Sequence, residues 1–137
     1  MFLRASIIVM SMINRLVAEN TLKVPFKGDP YFTTSKKLLA FRSDSSIRIK
    51  NLTREAKDIE VTFSTPPLKF FLSQTHPYLL LLTSAHLLEI HQLEYLSGLQ
   101  EGSSRKIVIL HNVEEFSELE GGLVVGGNKT IKVVSYA

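Results

Sequence analysis

Cysteine is missing from this chain, and with it go a disulfide framework, thiolate metal ligation and a cysteine nucleophile. The absence suits a reducing compartment and hence a cytoplasmic location. Long apolar runs are missing too: none approaches the ~18–20 residues that a membrane-spanning helix requires. The opening stretch MFLRASIIVMSMIN carries one arginine and then a short apolar segment, but no small-residue cleavage pattern of a secretory signal follows. Its Ile7–Met12 part has the composition of a buried strand. No serine stands in a Gly-x-Ser-x-Gly elbow, so nucleophilic hydrolysis has no motif behind it.

What is present is ordinary globular material. The chain has 137 residues, 45% hydrophobic and 21% charged, which fits a single domain over residues 1–137. The net charge of +3 hides an asymmetry: residues 1–72 hold 12 Lys/Arg against 6 Asp/Glu, and residues 73–137 hold 4 against 7. A basic half and an acidic half predict a polarised surface able to orient a partner.

The strongest signal is a repeat. Three stretches share an apolar run, a small polar break and an alternating run: LLAF-RSDSS-IRIKNL at 38–52, YLLLL-TSA-HLLEIHQL at 78–93 and GLVV-GGNKT-IKVVSY at 122–136. The pairs Ile47/Ile49, Leu88/Ile90 and Ile131/Val133 recur after 41 and then 43 residues. Strict alternation puts Ile47 and Ile49 on one sheet face and Arg48 and Lys50 on the other. The breaks near Asp44, Ser84 and Asn128 have turn chemistry. Each stretch therefore predicts an antiparallel hairpin, with the three apolar pairs buried and Arg48, Lys50 and Lys132 exposed.

Further strands are expected at Asp58–Phe63, Leu68–Leu72 and Lys106–His111. Pro66 and Pro67 belong at a turn or strand end, because proline donates nothing to a ladder. Four strands per ~42 residues is the blade of a β-propeller. Residues 15–26 suggest one more hairpin around Leu22 and Val24; the alternative there is an amphipathic helix over 5–19. The expected fold is all-β, with about three antiparallel propeller blades in an incomplete ring; a β-sandwich built from the same strands is the alternative.

Candidate chemistry is sparse. In GGLVVGGNKT, Asn128 interrupts the Gly-Lys-Thr of a phosphate loop, and a strand pattern follows where a helix is needed. His76, His86, His91 and His111 lack zinc-ligand spacing and are expected to be structural or solvated. Glu114, Glu115, Glu118 and Glu120 fall in NVEEFSELEGG, which resembles a polar connector rather than an acid–base pair in an apolar pocket. The best binding candidate is the basic cluster Arg42, Arg48, Lys50, Arg54 and Lys57, suited to anionic lipid headgroups or an acidic protein patch. Nucleic acid is the weakest of its ligands, since only Phe41 stands close by for base stacking. No catalytic residue, cofactor or metal is expected.

From Thr65 to Ala137 the chain resembles the closing blades of the citron-homology domain, a propeller of endolysosomal tethering subunits and some Rho exchange factors. The resemblance rests on Pro66-Pro67, Pro77-Tyr78, Leu88-Glu89-Ile90 and Leu99-Gln100, in that order. It departs from related propellers, having Lys50-Asn51 where WD repeats have Trp-Asp, and Phe41-Arg42 without the rest of the phosphoinositide-binding FRRG signature. The resemblance implies a non-catalytic scaffold in vesicle trafficking. Its partners would be subunits of a complex and a small GTPase, at the surface of an endosome, vacuole or lysosome. The alternative is a propeller that binds anionic membrane through its basic half.

Overall fold

The computed structural model describes residues 5–10, 16–22, 32–43, 45–53, 57–95 and 102–136. Every regular element among them is a strand. β1 (Ala5–Met10) and β2 (Leu16–Leu22) form an antiparallel pair, Ala5 opposite Leu22. The helix expected as an alternative over 5–19 is therefore wrong. The run Ser6-Ile7-Ile8-Val9 is mostly β-branched and prefers the pleated backbone. The hairpin expected within 15–26 does not form there: Leu16–Leu22 is one continuous strand paired with β1, and Val24 lies outside the described residues.

Three antiparallel sheets follow in chain order. The first contains β3 (Phe32–Ser35), β4 (Leu38–Arg42), β5 (Ser46–Asn51) and β6 (Ile59–Thr62). The middle sheet contains β7 (Pro67–Leu72), β8 (Tyr78–Thr83), β9 (Leu88–Tyr95) and β10 (Gly102–Leu110). The last contains β11 (Glu115–Leu119), β12 (Gly122–Gly127) and β13 (Thr130–Ser135). Each is a simple meander. The hairpins expected at 38–52, 78–93 and 122–136 are β4–β5, β8–β9 and β12–β13. Pro67 opens β7, and a register shift between Pro67 and Lys69 accommodates it.

Two elements depart from the sequence expectation. The segment NVEEFSELEGG contains strand β11, because Phe116 alternates with polar neighbours and is buried at 2% exposure against the middle sheet. The four-residue β3 had no apolar alternation to announce it; its buried positions are Thr33 and Ser35.

The core sits in two layers, and the middle sheet contributes to both. On one side Leu79, Leu81, Phe70, Leu72 and Leu93 pack against Ala40, Ile47, Ile49, Ile59 and Val61 of the first sheet. On the other side Leu80, Leu82, Leu88 and Ile90 pack against Phe116, Leu123 and Val125 of the last sheet, with Val113 between. Successive side chains of a strand point to opposite faces. The unbroken run Leu79–Leu82 is thus explained by burial on both sides, each leucine contributing roughly 1.5–3 kcal/mol.

The first strands of successive sheets are joined laterally. Thr33 Oγ1 accepts from the Leu72 amide at 3.3 Å, Ser35 Oγ donates to the Ser73 carbonyl at 2.6 Å, and Gln74 Nε2 donates to the Thr34 carbonyl at 2.8 Å. Lys69 Nζ then reaches from β7 to the Phe116 carbonyl on β11 at 2.8 Å and to Glu115 at 2.9 Å. At the opposite margin β6 lies against β10.

The expectation that all three repeat pairs are buried fails at the third. Ile47, Ile49, Leu88 and Ile90 are at most 3% exposed, but Ile131 is 79% and Val133 is 71% exposed. On β13 it is Lys132 and Val134 that stand opposite the buried Val125 and Leu123. The apolar phase of this strand is one residue out of step with the face that packs, which sends its β-branched pair outward. Arg48 and Lys132 are exposed as expected, whereas Lys50 is half-buried.

Candidate interaction surface

The five basic residues do not form one face. Arg48 and Lys50 project from the outer side of β5, where Arg48 stands opposite Glu60 of β6 and Lys50 pairs with Asp58 at 3.3 Å. Arg42 stands opposite Ile47 on the other side of the sheet. Its guanidinium lies 5.5 Å from the centre of the Phe63 ring, and its buried Nε has no hydrogen-bond partner. Lys57 is exposed, and Arg54 lies outside the described residues. Where Lys50 meets Asp58 and Arg48 faces Glu60, part of the positive field that would draw an anionic ligand is already offset.

The histidines are dispersed, and no group of three potential metal ligands gathers among the described residues. His86 occupies the turn after β8 with a φ of 61°. His91 is buried on β9, where its Nε2–H donates to Glu89 at 2.9 Å, and Glu89 also meets Lys106 at 3.4 Å. Burial drives the His91 pKa below its ordinary value of 6.5; the adjacent carboxylate opposes the shift and only partly cancels it. This is a satisfied structural histidine. The GGNKT segment is the β12–β13 turn, with Asn128 and Lys129 both at positive φ, the signature of a two-residue hairpin loop. Any Cβ on Gly127 would collide with the Asn112 carbonyl, so only glycine fits there.

Sequence reasoning missed the polar contacts of Glu118. Its carboxylate accepts from the Gln74 amide at 2.7 Å and from the Tyr136 hydroxyl at 2.7 Å. Tyr136 in turn packs edge-on against His76 and Tyr78. Burial first, and then the neighbouring carboxylate, raises the Tyr136 pKa well above the ordinary 10.0. These contacts tie the last sheet to the 73–78 loop. No signal in the sequence pairs Glu118 with Tyr136, eighteen positions apart.

Among the described residues, no sheet packs against the outer face of the last sheet. Val124 and Val133 are directly paired, and Ile131 stands opposite Gly126. By alternation Leu119, 45% exposed, shares this face. Gly122 and Gly126 add no side chains, so the centre of the face, around Val124, Ile131 and Val133, is flat and apolar. Contiguous exposed apolar patches, when large, mark interaction sites. Glu115, Ser117 and Ser135 share this face at its margins; its apolar centre can exclude water against a complementary apolar surface. No protein-family model, curated protein or solved structure matches this chain.

Proposed function

We propose that this chain is a non-catalytic interaction scaffold, a stack of propeller-blade-like sheets whose last sheet packs its outer face against another protein surface. The observation that carries this reading is the exposure of Ile131 and Val133 at 79% and 71% on a sheet whose other face packs against the middle sheet through Phe116, Leu123 and Val125. The blade reading is supported by the successive meanders, by a middle sheet buried on both faces, and by the lateral bonding of β3, β7 and β11. The resemblance to citron-homology blades suggests the setting: an endolysosomal tethering complex, with helical scaffold subunits and a membrane-bound small GTPase as partners.

The test uses the full chain in dilute solution. The scaffold reading expects binding of a hydrophobic dye such as ANS, or concentration-dependent association by sedimentation, and expects Ile131→Thr combined with Val133→Thr to abolish either. A monomer that binds no dye and unfolds in one transition would refute it. Flotation with neutral and anionic vesicles addresses the membrane alternative, which requires charge-dependent binding.

A further inference from the structure

We propose that the free edge of β13 receives an extended strand from a partner polypeptide, which completes the last sheet as its fourth strand. The inference rests on the scaffold reading and adds the place and the conformation in which a partner binds.

The backbone supplies the first argument. In the two-residue hairpin Gly127 and Thr130 are the closing pair, and hydrogen-bonded pairs alternate from there. Residues 130, 132 and 134 direct their N–H and C=O groups to β12, while Ile131, Val133 and Ser135 direct theirs outward. Among the described residues no strand accepts them. The β12–β13 register runs unbroken from Gly122↔Ser135 to Gly127↔Thr130, and β13 holds no proline or bulge to blunt its edge. β13 does carry one lysine, Lys132, but β10, the longest edge strand, is more heavily protected: its register shifts between Lys106 and Val108, and Arg105 and Lys106 line it.

The second argument is the space beside that edge. In the first sheet the fourth strand, β6, lies against β10 and its Ile59 and Val61 are 1% and 2% exposed. On the opposite face of β10 the equivalent place is open. Val108, which stands opposite Ile90 and so faces the last sheet, is 38% exposed; Ile109 on the other face of β10 is 42% exposed, so the contact with β6 covers that side only in part. A cleft of about 260 Å³ runs between Leu110 and Asn112 on one side and Val125, Lys132 and Val134 on the other. It has the place of the missing strand.

The lining sets the chemistry of the occupant. Apolar side chains at alternate positions would cover Val108 and Val134, and a carboxylate would meet Lys132, which like Lys129 has no ion pair among the described residues. A second copy of this chain would bring the same two lysines to the groove, so an acidic, alternating segment of another protein fits better. Strand addition of this kind draws affinity from the backbone and specificity from alternate side chains.

The experiment pans a phage-displayed random dodecapeptide library against the full chain and titrates the enriched sequences as synthetic peptides. Enrichment of alternating apolar residues around an Asp or Glu is expected. Ser135→Pro removes one outward N–H and leaves the β12 ladder intact, and it should weaken binding about tenfold. Lys132→Glu should weaken it as well. Peptides N-methylated at alternate amides provide a readout independent of protein folding: one phase should lose binding and the other keep it. No enrichment, enrichment without alternation, or equal loss in both methylation phases would overturn the proposal. Binding that is lost in Ile131→Thr but kept in Ser135→Pro would also overturn it while sparing the scaffold reading. Dimerisation abolished by Ser135→Pro would assign the edge to a second copy and likewise defeat it.

Discussion

Ile47 and Ile131 hold the same place in the repeat, and mutating both to alanine separates pattern from packing. Ile47 is fully buried, stands opposite Val61 and belongs to the layer between the first and middle sheets. Its truncation removes three carbons from a site with no solvent access and should cost ~2–5 kcal/mol, the range for core Ile→Ala changes. Ile131 is 79% exposed, so truncation there forfeits almost no buried area and should stay within about 0.5 kcal/mol. A small loss of strand propensity could extend that to ~1 kcal/mol. The gap, at least ~1 kcal/mol and centred nearer 3, is readable by urea denaturation followed by circular dichroism, with equal m-values confirming a common transition. In a thermal scan each kcal/mol corresponds to roughly 3 °C for a chain of this size. Equal destabilisation of Ile47→Ala and Ile131→Ala at low protein concentration would show that the outer face of β13 is covered within the chain, and the interaction surface would fall with it.

Other consequences are local. Gly127→Ala places a Cβ on the Asn112 carbonyl and should cost ~1–3 kcal/mol, whereas Gly126→Ala, whose nearest neighbour is the Glu115 carbonyl at 4.0 Å, should melt close to the native chain. Because burial holds the folded His91 pKa below 6.5, the unfolded chain binds the extra proton first. Its contribution to stability is therefore full above pH 6.5 and falls as pH drops through the folded value; His91→Gln should flatten the decline in urea midpoint on the acid side of 6.5, and an unchanged slope would contradict the assignment. Tyr136→Phe removes the hydroxyl that donates to Glu118 at 2.7 Å and should cost ~1 kcal/mol. In the intact protein, absorbance at 295 nm should show a tyrosine still protonated beyond the ordinary range.

The hairpins were legible because their information is local. A turn residue, a two-residue alternation and β-branched side chains are visible within fifteen positions, and β4–β5, β8–β9 and β12–β13 follow from them. β11 was harder to see: its single large apolar residue, Phe116, sits among carboxylates, and Glu118 finds its partners only in three dimensions. β3 carries its packing in hydroxyl groups, which no hydrophobic pattern detects. The basic cluster illustrates the opposite error. Arg42 and Arg48 are close in sequence, but one turn and a register that sets Arg42 opposite Ile47 put them on different sides of the sheet.

The contrast between the two ends of the stack bears most directly on function. The outer face of the first sheet presents Arg48, Lys50 and Glu60 on β5 and β6, and its apolar residues on β4, Leu39 and Phe41, are only 3% exposed. The last sheet differs in exposure. Leu123, Val124 and Val125 are consecutive, and Ile131 and Val133 flank Lys132, so apolar residues occupy both of its faces as they do in the middle sheet. In the middle sheet that composition is matched by neighbours on both sides, and Leu79–Leu82 are at most 2% exposed. In the last sheet only one side is matched. A chain selected merely to stay folded would gain solubility, at little cost in stability, from a polar residue at 131 or 133. Two large β-branched residues on an open face, beside a free strand edge, are the features on which the proposed interaction surface stands.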